Sequence, residues 1–353
     1  MSKKILISGV TGQDGSYMVD YLLTNTDYLI YGMVRRTAKP DYSNLKNALN
    51  NPRFSFVVGD LSDSQSINNV VKEIKPDYFI NFAAQSFVAS SWQVPEQTFD
   101  IDAIGVIRCL EAIRRYVPQC RFYNAGSSEE FGDVAYSPQD MKHPLRARSP
   151  YGAAKAAARQ LVKVYRESYN LYAIQGLLFN HESERRGEEF VTRKITKGVA
   201  RIAKSIAGFN WDFKPIELGN MDAKRDWSHA EDFVRGVWLM LNQEKPKEYL
   251  FASGETHTVK EFVEKAFEAA GIKGVWWKNH NDFDEYLLSS DGILTTKRYT
   301  PLVVVNPTFY RPAEVELLLG DPSEAKKELD WRPEISFNDL VKRMVENDIK
   351  NET

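Results

Sequence analysis

The sequence predicts an α/β protein built on a doubly wound parallel sheet, with a smaller, discontinuous α/β region toward its C-terminal end. Three observations carry that expectation. Short apolar runs alternate with longer helical patterns through the first half of the chain, as βαβ units around a parallel sheet require. A glycine-rich turn follows the first apolar run directly. Beyond Phe179 the alternation fails, and glycines, basic residues and isolated apolar runs take over.

In order, the expected strands are Lys4 to Ser8, Leu29 to Val34, Phe54 to Val58, Tyr78 to Phe82, Phe122 to Ala125 and Ala173 to Leu178. Between them lie helical patterns at Tyr17 to Leu23, Ser64 to Ile74, Ala103 to Tyr116 and Ala153 to Tyr169. Later helices are expected near His229 to Leu241 and Val259 to Ala270, and two more after the N-cap candidates Ser323 and Ser336, hydroxyls of the kind that satisfy first-turn amides. The expected division is a sheet domain over residues 1–178 with a returning segment near 225–256, and a smaller region over 179–224 and 257–353. The polar stretch Asn279 to Lys297 reads as a surface loop or hairpin.

Composition narrows the function. With 353 residues, 43% of them hydrophobic, the chain can build a sizeable core. Its 46 Lys and Arg against 48 Asp and Glu leave a net charge of -2, so nothing in the balance points to nucleic acid or an anionic membrane. Cys109 and Cys120 are too few for a disulfide framework and lie in no metal-ligand spacing with the five histidines; no metal is expected. The opening run breaks at Gly9 and no apolar stretch reaches membrane-spanning length. A soluble, cytoplasmic protein is the expectation.

After the first strand comes Gly9-Val10-Thr11-Gly12-Gln13-Asp14-Gly15, with a helix following. Glycines there permit a tight turn and close approach of backbone amides to a pyrophosphate at a helix N-terminus. This is the dinucleotide turn of a Rossmann sheet, in the Gly-x-x-Gly-x-x-Gly spacing of the extended short-chain dehydrogenase/reductase family. About 20 residues beyond the last glycine, an acid would bind the ribose 2′-hydroxyl of NAD. Arg35 and Arg36 stand there instead and suit a 2′-phosphate, so NADP is the expected cofactor. Asp60-Leu61 resembles the family's adenine-contacting pair, and Phe82-Ala83-Ala84-Gln85-Ser86 its segment beneath the cofactor.

Tyr151-Gly152-Ala153-Ala154-Lys155 places a phenol and an ammonium at i, i+4, on one face of a helix. A free tyrosine has a pKa of about 10, and the lysine, with the positive nicotinamide of an oxidised cofactor, favours the phenolate a base needs. The fifth strand runs into Gly126-Ser127-Ser128-Glu129-Glu130, at the carboxyl end where ligands bind in such sheets. Ser127 and Glu129 should therefore face Tyr151. Glu129 supplies a second proton-transfer group, which distinguishes dehydration from simple alcohol oxidation. Its neighbour Glu130 is expected to face solvent.

Read together with Arg148-Ser149-Pro150-Tyr151, Leu178-Phe179-Asn180-His181-Glu182-Ser183, Phe190-Val191-Thr192-Arg193-Lys194-Ile195, Leu218-Gly219-Asn220-Met221-Asp222-Ala223-Lys224-Arg225-Asp226-Trp227 and Tyr310-Arg311-Pro312-Ala313-Glu314-Val315, these motifs resemble the GDP-mannose 4,6-dehydratase family over nearly the whole chain. The resemblance implies that Ser127 bonds the sugar, that Glu129 is the acid/base and that Tyr151 and Lys155 are the oxidising pair. It places His181 and Arg186 against the cofactor, Ser86 and Ser128 beside the sugar, and Asn180, Val191, Lys194, Leu218, Gly219, Arg225, Arg311 and Glu314 around a GDP group. Arginines can hold the diphosphate, and Glu314 can accept from a guanine edge.

Departures from the family pattern shape the sugar pocket. Ser127 replaces threonine, Gly126 a serine, Phe87 a histidine and Gln97 a tyrosine, so a GDP-linked mannose and a GDP-linked heptose both stand as substrates. The segment Thr37 to Asn51 is shorter than the family's loop, which takes part in tetramer contacts; the expected assembly is a homodimer or homotetramer. Two rivals share the fold. A nucleotide-sugar epimerase or C4 oxidoreductase needs only the Tyr/Lys pair, and Glu129 argues against it. A non-catalytic NADP sensor is disfavoured by the intact Ser, Glu, Tyr and Lys set.

Overall fold

In a computed structural model of the chain, described for residues 2–278, 285–289, 300–310 and 317–352, all six expected strands form and a seventh joins them. They are β1 (Lys4–Ser8), β2 (Leu29–Val34), β3 (Phe54–Val58), β4 (Tyr78–Asn81), β5 (Arg121–Ala125) and β6 (Ala173–Leu178). Leu250–Phe251 adds beyond β6, and every pairing in the sheet is parallel. The order runs β3-β2-β1-β4-β5-β6. Winding therefore reverses between β1 and β4, and the crevice at their carboxyl ends is where such sheets take ligands.

Helices cover both faces, and the strand sequences show it. Every residue of β4 and β6 is buried, so neither strand alternates apolar with polar. Within β1 the pleat sends Ile5 and Ile7 to one face and Leu6 to the other. The first face packs against helices α1 (Gln13–Asn25) and Ala230–Leu241, through Met18, Leu22, Phe233 and Val237. The second packs against α2 (Ser64–Ile74), α3 (Gly105–Tyr116) and α4 (Pro150–Tyr169), through Ile67, Val71, Leu110, Ile113 and Val162. Each large apolar side chain so buried contributes about 1.5–3 kcal/mol. Helix α2 shows why its residues are helical: Ile67, Val70, Val71 and Ile74 make one buried stripe, Asp63 accepts the Gln65 amide as N-cap at 2.9 Å, and Lys75 ends the helix in the left-handed region.

Past β6 the chain runs through α5 (Val191–Ala207), α6 (Ala230–Leu241), α7 (Val259–Ala269) and the last helix, Phe337–Asn351, and α5, α7 and the last helix build a second core together with Trp227. Of these, α6 itself returns to the sheet. The expected division placed residues 257–353 with the smaller region, yet Leu318, Ala325, Leu329 and Trp331 pack into the core of the sheet, with the Trp331 indole donating to the Asp232 carbonyl at 2.7 Å. Ser336 is an N-cap as expected, accepting the Asp339 amide at 3.1 Å. Ser323 is not: it is the first residue of its helix, and its amide donates to Asp321 at 3.0 Å. Part of the stretch expected as a loop or hairpin, Glu285–Ser289, pairs antiparallel with Gly274–Lys278; its remaining residues lie outside the described ones.

Candidate active site

The switch point of the sheet is closed too tightly for any side chain at Gly9. Its φ is +67°, and a Cβ there would lie 2.7 Å from the Ala83 nitrogen and 2.8 Å from the Phe82 carbonyl carbon, which is why the turns after β1 and β4 can meet. Gly12 occupies the N-cap position of α1 with no side-chain cap, leaving first-turn amides for an anion. Gln13 and Asp14 are held by protein partners, the Ser183 hydroxyl donating to Gln13 Oε1 at 2.7 Å and Asp14 pairing with His181, and the Asn44 side-chain amide donates to the Thr11 backbone carbonyl at 3.0 Å. Arg35 and Arg36 are exposed just past β2. The closed glycine turn and the open first turn of α1 fit the pyrophosphate of a dinucleotide.

Other expected cofactor residues have work within the protein. Asp60 Oδ1 accepts the Ser62 amide and hydroxyl, while the Leu61 side chain is buried and its carbonyl accepts from Arg108 at 2.8 Å. Past β4, which ends one residue short of Phe82, Phe82 leans on Tyr123 and Ser86 is exposed. The Gln85 side chain brackets Phe87, accepting its amide at 2.8 Å and donating to its carbonyl at 3.2 Å. His181 has both ring nitrogens engaged, Nδ1 with the Phe179 carbonyl at 2.7 Å and Nε2 with Asp14 Oδ2 at 2.9 Å, and its ring stacks on Phe233. Burial opposes both charges of the His181 and Asp14 pair, but their attraction exceeds it: the carboxyl is held below its usual range and the imidazole raised above its own. Arg186 pairs with Glu182 at 3.1 Å and lies 3.5 Å over the Phe190 ring.

The catalytic candidates do come together. Ser149 caps α4 by accepting the Gly152 amide at 3.0 Å, and Pro150 opens the helix, so Tyr151 enters in the first turn. One turn on, Lys155 is 3% exposed; its Nζ donates to the Ala125 carbonyl at 2.9 Å and lies 5.7 Å from the Tyr151 ring centroid. The Ser127 hydroxyl and the Glu129 carboxylate both lie close enough to the Tyr151 phenol to act on its titration, in opposite directions. Ser127 Oγ also accepts the Glu129 amide at 3.2 Å, and Ser128 is buried in the same turn. Burial pushes the phenol well above its usual pKa, and the Asp102 carboxylate adds to the rise; the Ser127 hydroxyl and the Arg186 cation oppose it.

Two acids here were missed or misplaced. Asp102 sits on a π-helical turn, Asp100–Ile104, that interrupts the run into α3. It is 1% exposed, accepts the Gln85 amide at 2.7 Å, and is pushed up to about 6 by burial against the pull of Lys155. Its signal in the sequence is a charge at the head of the apolar stripe Val106, Cys109 and Ile113. Glu130, expected to face solvent, is fully buried. The reason is a capping box: Ser127 and Glu130 have the Ser-x-x-Glu spacing, and the glutamate turns back to accept the Ser127 amide at 2.9 Å.

The expected nucleotide residues stand on elements past β6, some buried and some exposed. Asn180 and Arg225 stand on short strands, Asn180–Glu182 and Lys224–Arg225. Val191 opens α5, and half-buried Lys194 places Nζ 3.6 Å over the Phe309 ring. Leu218 is buried, and Gly219 lies against the Phe309 backbone. Arg311 and Glu314 lie outside the described residues.

A dTDP-glucose 4,6-dehydratase from Streptomyces venezuelae, solved with NAD, matches with a TM-score of 0.79 at 20% identity, covering 99% of this chain and 97% of that one; the chain thus has the fold of the extended short-chain dehydrogenases/reductases. Within that class it belongs to the GDP-mannose 4,6-dehydratase family, whose model matches residues 6–344. A GDP-mannose 4,6-dehydratase of Drosophila melanogaster is 41% identical, across 99% of this chain and 86% of its own length, and one of Vibrio cholerae is 42% identical, across 99% and 95%. No helix among the described residues is long and apolar enough to cross a membrane.

Proposed function

We propose that the chain dehydrates a GDP-linked hexose or heptose across C5 and C6, using a tightly held NADP that is regenerated in each turnover. The observation that carries this reading is the convergence of Ser127, Tyr151 and Glu129 at the carboxyl end of the sheet, within a chain of this family. NADP, when bound, would supply the hydride acceptor and donor for oxidation at sugar C4 and reduction at C6, and its positive nicotinamide would favour the Tyr151 phenolate that the isolated site disfavours. The glycine turn and the α1 N-terminus hold the pyrophosphate, Arg35 and Arg36 the 2′-phosphate, and Lys155 the ribose beside Tyr151. Arg186, His181, Asp60, Leu61 and the segment Phe82 to Ser86 line the same crevice.

Tyr151 removes the C4 hydroxyl proton, and Ser127 orients that hydroxyl. The resulting 4-keto group acidifies C5. Glu129 then takes the C5 proton and delivers a proton to the C6 hydroxyl, which leaves as water; when the C5–C6 double bond is reduced by hydride at C6, C5 takes up one proton, which balances the one that Tyr151 removed. Arg225 and Lys194 face the diphosphate, with Arg311 and Glu314 completing the nucleotide site. We further propose the division into a sheet domain and a nucleotide-sugar region, a homodimer or homotetramer, and a cytoplasmic location. Incubation with GDP-mannose and with GDP-manno-heptose, separately, tests the reading: loss of one water from either, by mass, supports it and tells which sugar is used. Both sugars returning unchanged from NADP-loaded protein would overturn it.

A further inference from the structure

We infer that Glu130 is a positioning residue of this site, whose carboxylate anchors the Ser127 turn and closes a buried hydrogen-bonded chain running across four strands to the dinucleotide turn. This inference rests on the role proposed for Ser127. The chain begins at Ser8, the last residue of β1 before Gly9. Its hydroxyl donates to Asn81 Oδ1 on β4. Asn81 Nδ2 donates to Asn124 Oδ1 on β5 at 2.7 Å, and Asn124 Nδ2 to Gln175 Oε1 on β6 at 2.6 Å. Gln175 Nε2 donates to Glu130 Oε1 at 2.9 Å and to the Lys155 carbonyl at 3.1 Å. All five side chains are at most 1% exposed.

The direction of this chain is imposed from its catalytic end. The Lys155 carbonyl and the Glu130 carboxylate can only accept when the acid is ionised, so Gln175 must turn its nitrogen toward them. That choice fixes the amides of Asn124 and Asn81 in turn, and leaves the Ser8 hydroxyl as donor. Burial makes each bond costly to lose, since an orphaned partner has no water to turn to. Gly126 belongs to the same device: a Cβ there would stand 2.8 Å from Glu130 Oε1 and 2.5 Å from the Gly176 carbonyl. The serine that the family pattern has at this position has no room beside this glutamate.

The groups acting on Glu130 are Arg159 and Lys155 of α4, the Ser127 amide and Gln175, and it acts in turn on the buried Tyr123 of β5. Burial outweighs the cations and pushes its carboxyl up to about 7. The sign follows. The anion, the stronger acceptor, prevails above that value and gives way to the neutral acid as pH falls through it. A glutamine mimics the neutral acid, keeping an acceptor at Oε1 and losing the charge.

The experiment compares Glu130→Gln and Glu130→Leu with the parent, all loaded with NADP. Glu130→Leu is expected to lower kcat at least tenfold with KM for the GDP-sugar within about twofold, and Glu130→Gln to fall between it and the parent. The parent-to-Gln ratio of kcat should shrink toward unity from pH 8 to pH 6, a comparison in which Glu129, Asp102 and Tyr151 cancel. A purely structural role would lower the melting temperature without that pH-dependent ratio. Amide hydrogen exchange over residues 126–131 of the resting proteins reads the anchor without turnover, and should be at least tenfold faster in Glu130→Leu than in the parent while exchange in β3 is unchanged. Parental exchange in Glu130→Leu, or a parent-to-Gln ratio that stays constant with pH, overturns the inference. If the parent dehydrates no GDP-sugar, the proposed function fails and the exchange measurement alone decides the role of Glu130.

Discussion

Around Tyr151 the polar groups are held by one another and by the sheet: Ser127 by the Glu130 carboxylate, Lys155 by the Ala125 carbonyl, Asp102 by the Gln85 amide. Around Lys194 the arrangement is looser, with a half-buried ammonium over an exposed phenylalanine, Phe309, and Arg35 and Arg36 stand in solvent at the far rim. The first region is built for placement, since proton transfers tolerate errors well under an ångström. The second is built for charge, which acts over longer distances and needs less precise geometry. Changes in the first should therefore appear in kcat, and changes in the second in KM or in cofactor affinity.

The largest effect should come from Tyr151→Phe, which removes the base while keeping the packing of a residue that is 8% exposed. We expect kcat to fall about 100- to 10,000-fold, with C4 oxidation and loss of water abolished together. Glu129→Gln should separate them, leaving some reduced cofactor visible by absorbance after mixing with the sugar but no dehydrated product. A Glu129→Gln variant that dehydrates at the parental rate would remove Glu129 from the proton-transfer groups around Tyr151.

How far the two regions were legible in the sequence differs for physical reasons. The glycine turn, the Tyr151 and Lys155 pair and the strands buried on both faces are set by spacing along a few residues, and all are found in the fold. Glu129 and Glu130 look alike in sequence, and only the Ser-x-x-Glu relation to Ser127 tells that one of them turns inward. The His181 contact with Asp14 joins residues 167 positions apart, and Trp331 reaches back to the sheet from the last hundred residues. No local periodicity encodes such contacts. The expectation of a nucleotide site rests on matched strings rather than on physics, because isolated cations carry no pattern of their own.

A smaller effect is expected for the double variant Arg35→Ser/Arg36→Ser. Each guanidinium that meets a 2′-phosphate contributes about 1.5–3 kcal/mol as a charged hydrogen bond, discounted at the exposed end of β2 by solvent and salt. NADP binding should weaken at least tenfold, and NAD binding, measured in the same titration, should change by less than about twofold. An equal loss for both cofactors would show that the pair does not read the 2′-phosphate, and the contrast with the acid found at this position in NAD-binding sheets would lose its meaning.

The smallest effect, and the sharpest test of the contrast, is Lys194→Met. Methionine keeps much of the unbranched stem packed over Phe309 and removes the charge alone. If the ammonium meets the diphosphate, its loss should cost about 1–2 kcal/mol in a half-open setting, raising KM for the GDP-sugar roughly tenfold with kcat within about twofold. Burial lowers the pKa of this ammonium, with Glu217 opposing. The competent form is the protonated one, so parental KM should rise as pH climbs through that lowered value, while the KM of the variant does not show this rise. Added salt should likewise raise the parental KM more than that of the variant. A variant that instead loses kcat at constant KM would place Lys194 among the positioned groups around Tyr151, and the division between a region of placement and a region of charge would fail at the residue on which it is easiest to measure.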